Sequence, residues 1–186
     1  RLTRGVWHAA ELAREAAREG FGVVVAAGGD GTVNEVVNGL MLSHARGESI
    51  PAMGVLSVGR GNDFSYGADV PAALPDCVEV IAAGAARPMD VGLVAGGDYP
   101  EGRYFGNGIG VGFDTIVGLE AAKMKRVHGF MAYVLGAART FVLYPEAPAV
   151  SLVHDAGEIV QKSHQISIMN GKRMGGTFFM APAASN

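Results

Sequence analysis

Val24-Val25-Ala26-Ala27-Gly28-Gly29-Asp30-Gly31-Thr32-Val33-Asn34-Glu35-Val36 sets how the first half of this chain is built. Residues 21–27 form a short, uncharged, β-branched run, as expected of a strand covered on both faces. Val33, Val36, Val37, Leu40 and Met41 then recur at helical spacing and predict an amphipathic helix. Thr32 and Glu35 match a capping box at its start. Glycines after a buried strand aim several backbone N–H groups into one space, and the helix dipole adds positive potential there. Such a junction suits an anion, most naturally phosphate. Asp30 would repel that phosphate unless a divalent cation lay between them, and Mg²⁺ favours a mixture of carboxylate, water and phosphate. The same residues also suit a plain β–α turn, with glycine for tightness and Asp30 as a cap.

Beyond that junction, residues 52–58 read as a second buried strand that ends in Gly59-Arg60-Gly61-Asn62-Asp63. Residues 3–19 read as a helix with Leu2, Val6, Leu12 and Ala16 near one face, stopped by Gly20 and Gly22. Residues 71–84 read as another helix, with Pro71 in its first turn. The resulting α-β-α-β-α order predicts an α/β domain, a parallel sheet with helices on both faces. Ligands of open parallel sheets sit beyond the carboxyl ends of the strands, where both glycine loops lie. The two loops are therefore expected to face one crevice, with Arg60 in reach of a phosphate. A simpler reading has Asn62 and Asp63 merely starting the next helix.

The character changes near Arg87-Pro88. Strands are predicted at 89–95 and 104–113 around Gly96-Gly97-Asp98, and helices at 114–123 and 129–143. A hairpin at 150–154 and 158–163 turns at Asp155-Ala156-Gly157, and further strands fall at 165–170 and 177–180. This half is mostly antiparallel, so two domains are expected, 1–87 and 88–186.

The 186 residues are 49% hydrophobic and 18% charged, which allows a sizeable core and excludes a disordered chain. Glycine is abundant, 28 residues, but no G-x-y period runs through it, so collagen is excluded. A net charge of −3 lacks the basic footprint of a nucleic-acid binder. Cys77, the single cysteine, excludes an internal disulfide and a cysteine metal cage, and suits a reducing compartment. No apolar run reaches the roughly 18 residues of a membrane span, and no signal peptide is visible. Neither a G-x-S-x-G elbow nor a Walker A lysine occurs. The five histidines are scattered and read as surface or satisfied groups, and the eight methionines as core filler. Lys123, Lys125 and Arg126 form a basic patch that reads as a solvated face, or as a rest on anionic lipid head groups.

Four motifs in order carry a resemblance that spans nearly the whole chain. The stretch 24–36 resembles the diacylglycerol kinase catalytic-domain family, which includes bacterial soluble lipid kinases, sphingosine kinases and ceramide kinases. Gly59-Arg60-Gly61-Asn62-Asp63-Phe64 resembles its G-[TR]-[GA]-N-D-F motif. Phe105-Gly106-Asn107 with Ile109-Gly110-Val111-Gly112-Phe113-Asp114 resembles its N…GFD segment. Asn170-Gly171, Gly175-Gly176 and Ala181-Pro182-Ala183-Ala184-Ser185 resemble its NG…GGG…AP-A stretch.

The resemblance implies a phosphofructokinase-like nucleotide-binding domain followed by a lipid-receiving β-sandwich, with the active site between them. It implies ATP as donor, Mg²⁺ as cofactor and a lipid hydroxyl, such as that of diacylglycerol, as acceptor. On that basis Gly28, Gly29, Asp30, Gly31, Thr32, Val33 and Asn34 bind the ATP phosphates, and Gly59, Arg60, Gly61 and Asn62 close over them. Asp63 and Asp30 belong to the Mg²⁺–water network, and Ser185 borders a structural Mg²⁺ site. Phe113, Phe130, Tyr133 and Phe141 are candidates to lie against the lipid chain. The family's N-P-x-(S/A)-G strand would precede Arg1, and its catalytic-base Asp, in a D-G-E motif, would follow Asn186. Asp155-Ala156-Gly157-Glu158 is not that motif, because it sits at a hairpin turn upstream of AP-A. The chain is thus expected to be a segment of a longer protein and inactive alone. Location in the cytoplasm with brief peripheral membrane contact is expected, without nucleic acid; oligomeric state stays open, a homodimer included. An NAD kinase shares GGDGT but not GRGNDF or MAPAAS, and a non-catalytic nucleotide- or lipid-binding module would use the same scaffold.

Overall fold

The computed structural model describes residues 1–124 and 130–184. It divides into two compact units, Arg1–Gly108 with Met169–Asn186, and Ile109–Ile168.

In the first unit the elements run α1 (His8–Arg18), β1 (Val23–Gly28), α2 (Asp30–His44), β2 (Ala52–Ser57), α3 (Asp63–Gly67), α4 (Leu74–Ala83), β3 (Gly92–Gly96) and β4 (Tyr99–Phe105). β1 and β2 pair in parallel from Val23 opposite Ala52 to Gly28 opposite Ser57. Ala26 and Val55 turn one face of this ribbon toward Val33, Val36, Val37 and Leu40 of α2. Gly54, on the other face, lies under Ile81 of α4. Helices therefore cover both faces, as expected. The cover is incomplete, however: Val23 and Val25 stay about half exposed, so β1 is not the doubly buried strand its composition suggests.

Helix α1 departs from the expected apolar face. It starts at His8, after Trp7 in the left-handed region at φ 73°, and leaves Leu2 and Val6 exposed outside it. The face it buries is Ala9, Ala10, Ala13 and Ala17. Small side chains let two helices approach closely, and α2 meets this face with Gly39, where a Cβ would overlap the Ala10 carbonyl. Helix α2 begins at Asp30, with Gly29 as its cap, so the expected capping box does not form. Glu35 instead accepts the Ala9 N–H at 3.1 Å and ties α1 to α2.

The β3–β4 hairpin pairs antiparallel from Gly92 opposite Phe105 to Gly96 opposite Tyr99. It belongs with the first unit rather than with the strands of the second. The reason is Asn38 of α2, whose side-chain amide donates to the Tyr104 carbonyl and accepts its N–H, both at 2.9 Å. This buried amide serves β4 as a strand neighbour would. The segment from Met169 returns to the same unit through the Asn107 carbonyl, which accepts N–H groups of Asn170 and Gly171 at 2.8 Å. The strand expected at 177–180 is reduced to one bridge, Met174 with Phe178.

The second unit carries β5 (Gly108–Gly112), α5 (Phe113–Ala122), α6 (Phe130–Leu143), β6 (Ala149–His154), β7 (Gly157–Lys162) and β8 (Gln165–Met169). β5 pairs with β8, and β6 with β7 antiparallel around the expected turn. Glu120 on α5 pairs with Lys123 at 2.5 Å and Arg139 of α6 at 3.0 Å, and the Lys123 hydrogen bond holds its carboxyl below the ordinary range. Among the described residues the strands of 88–186 make separate two-stranded ladders, β3 with β4, β5 with β8 and β6 with β7, and β7 is exposed along its whole length.

Candidate active site

The register of β1 and β2 sets the site. Gly28 opposite Ser57 puts both carboxyl ends at one level, so the two glycine loops leave side by side. They touch: a Cβ on Gly59 would overlap the Gly29 Cα. Val33 donates the first helical hydrogen bond to the Gly29 carbonyl at 3.1 Å. The N–H groups of Asp30, Gly31 and Thr32 precede it and have no partner within the helix, and they meet the positive end of the dipole. Val33 is thus the exception in the expected phosphate-binding run: its N–H is spent and its side chain lies in the core.

Both carboxylates are held by backbone. Asp30 Oδ1 accepts the Phe64 N–H at 3.0 Å and so ties the first loop to the start of α3. Asp63 is buried, and the Gly176 N–H reaches its Oδ1 at 2.9 Å and its Oδ2 at 3.1 Å. Arg173 Nε lies 3.1 Å from Asp63 Oδ1. Between the carboxylates is Gly61, on which a Cβ would stand 2.8 Å from Asp30 Oδ2 and 3.5 Å from Asp63 Oδ2. The missing side chain leaves open the space that both carboxylates border. Burial pushes the Asp63 carboxyl above its ordinary value; the charge of Asp30 adds to this, and the Gly176 N–H and Arg173 oppose it.

Asn62 locks its own loop. It sits in the left-handed region at φ 52°, accepts the Gly59 N–H at 3.0 Å and donates to the Gly59 carbonyl at 3.0 Å. Its side chain is therefore engaged within the loop. Arg60 is exposed at the loop tip. Asn34 turns away from the phosphate loop: its amide donates to the Tyr104 carbonyl at 3.0 Å and its Oδ1 accepts from Arg103 Nη2 at 3.0 Å. Ser185 lies outside the described residues, as do Lys125 and Arg126 and the side chains of Phe130 and Tyr133. Phe113 and Phe141 pack together in the second unit, 4.8 Å between ring centres.

No group of three or more His, Cys, Asp or Glu capable of holding a metal occurs among the described residues. The carboxylates bordering Gly61 are a partial donor set. They suit Mg²⁺, which takes one or two carboxylates and completes its octahedron with water and phosphate oxygens.

The diacylglycerol kinase catalytic-domain model matches residues 1–94. The chain belongs to that family. It is 39% identical over 129 residues to the diacylglycerol kinase of Bacillus subtilis strain 168, covering 68% of this chain and 39% of that one. It is 32% identical to the protein named "Probable lipid kinase YegS" of Escherichia coli O6:K15:H31, over 99% of this chain and 59% of that one. The crystal structure of a diacylglycerol kinase from Bacillus anthracis strain Sterne superposes at a TM-score of 0.71 with 27% identity, over 98% of this chain and 56% of that one. The chain thus spans about three fifths of relatives that it matches end to end. Within this family member, Arg173 and Gly176 are the site residues that sequence reading did not assign; the NG…GGG resemblance was their only signal.

Proposed function

We propose that the protein is an ATP-dependent lipid kinase, which transfers the γ-phosphoryl group of ATP to a lipid hydroxyl such as that of diacylglycerol. Family membership supports the lipid-kinase class. The observation that carries the reading is the contact of Gly29 with Gly59, with Asp30 and Asp63 both bordering Gly61.

Phosphoryl transfer asks a protein mainly for positioning and for stabilisation of charge. The free N–H groups at the start of α2 would hold phosphate oxygens, and Arg60 at the exposed loop tip would add a cation. Asp30 and Asp63 would hold Mg²⁺ together with water and phosphate. Once bound, that ion supplies charge neutralisation on the transferring group. The hydroxyl proton would pass to an Asp that the family places in its D-G-E motif. No helix among the described residues is long and apolar enough to cross a membrane. Contact with lipid is accordingly proposed as peripheral.

Calorimetric titration of the full-length protein with ATP, with and without Mg²⁺, tests the nucleotide half of the reading. Saturable binding that tightens with Mg²⁺ is expected, and absence of binding in both conditions overturns it.

A further inference from the structure

Arg173 makes contacts that converge on one loop. Its Nε faces Asp63 Oδ1 at 3.1 Å. Its Nη2 donates to the Gly61 carbonyl at 3.0 Å and reaches the Asn62 carbonyl at 3.5 Å. Its guanidinium carbon stands 4.0 Å from the centre of the Tyr66 ring, which is itself packed edge-on against Phe179. The two charged side chains are 19% and 8% exposed. A pair this shielded differs from a surface ion pair, because removing one partner leaves the other charge uncompensated.

The stereochemistry is directional. Arg173 Nε makes an ion pair with Oδ1 of Asp63 without a hydrogen bond, the Gly176 N–H reaches both Asp63 oxygens, and Oδ2 borders Gly61 opposite Asp30. The same guanidinium donates to the Gly61 carbonyl and reaches that of Asn62, so the loop and the carboxylate share one cation. A lysine carries the charge but has no planar fork to reach both.

We infer that Arg173 is a positioning residue for the metal–nucleotide complex: it clasps the Gly61–Asn62 backbone and Asp63 together, and keeps Asp63 Oδ2 facing Asp30 across Gly61. This rests on the kinase reading above. Arg173 acts through Asp63, so it governs how tightly the nucleotide is held with its metal and leaves the lipid acceptor's KM unchanged.

The test uses the full-length protein with Mn²⁺ as the probe ion. Mn²⁺ binding in the presence of ATP is followed by electron paramagnetic resonance, alongside KM for ATP and for lipid. In R173M the affinity for Mn²⁺ with ATP is expected to fall about tenfold or more, the usual scale for groups supporting a metal ligand. KM for ATP should rise in parallel while KM for lipid holds. R173K should recover only part of the loss, and if R173M does not fold, a loss of affinity in R173K alone supports the inference. Wild-type affinity in a folded R173M, full recovery in R173K, or an equal rise in both KM values overturns it. If the unaltered protein binds neither Mn²⁺ nor ATP, the kinase reading fails and this inference falls with it. Normal binding in the unaltered protein with indifferent variants removes only the Arg173 assignment.

Discussion

Gly59 stands so close to Gly29 that a methyl group on it would overlap the Gly29 Cα. This contact joins the loops at the ends of two paired parallel strands, and through it the anion-binding end of α2 meets the loop that carries Asp63. Gly59→Ala must push the loops apart. A cost of about 1–3 kcal/mol, the range for overpacking, is expected in urea denaturation. Affinity for Mg·ATP should fall with it. A variant with unaltered stability and affinity would show that the contact does not shape the site.

Asp63→Asn separates chemistry from stability. Turnover should drop by something like 10²–10³-fold, the scale on which single preorganised electrostatic groups act. Its effect on stability should depend on pH. The folded state raises the Asp63 carboxyl above its ordinary 3.8. The stability linked to its protonation is fully present below 3.8 and is lost as pH rises through the folded value. The variant lacks this titration, although it leaves Arg173 without its counter-charge at every pH. The Tm of the variant relative to that of the parent should therefore rise between acid pH and pH 7. A difference in Tm that does not change with pH, or that moves the opposite way, would contradict this.

Asp30→Ala removes the acceptor for the Phe64 N–H. The loss of a helix-start acceptor is worth about 1 kcal/mol. Calorimetry should also show weaker Mg·ATP binding, because one of the two carboxylates bordering Gly61 is gone. Unchanged affinity counts against the phosphate-loop reading.

Gly39→Ala tests the frame away from the site. A Cβ there would overlap the Ala10 carbonyl, so α1 must lift from α2 at a cost of about 1–3 kcal/mol. KM for ATP should hold. A rise in that KM with unaltered stability would mean that α1 bears on the nucleotide directly.

The strand–loop–helix–strand–loop core was legible because its signals are local: β-branched runs, glycine clusters and helical periodicity lie within a few residues of each other. The face of α1 was not. Alanine carries little hydrophobic signal, and the stripe is set by the glycine of a different helix. The capping box failed for a similar reason, since Glu35 is drawn to a backbone N–H of α1. Asn34 reads as part of the phosphate run only while the chain is followed linearly; its partner Tyr104 lies 70 residues away. Arg173 is farther still, 112 residues from Gly61, and no local pattern ties it to that loop. The strand runs of 88–186 were legible as runs, but they do not state which strands will pair.

Transfer of phosphate from ATP to a lipid can be read out in a single incubation. The full-length protein is held with Mg·ATP and mixed micelles of a total lipid extract, and the lipids are compared by mass spectrometry before and after. A new phosphorylated lipid, absent without ATP and strongly reduced in Asp63→Asn, is the predicted result, and its mass names the acceptor. Binding of Mg·ATP without any new phosphorylated lipid would contradict the kinase reading and leave a nucleotide-binding module in its place.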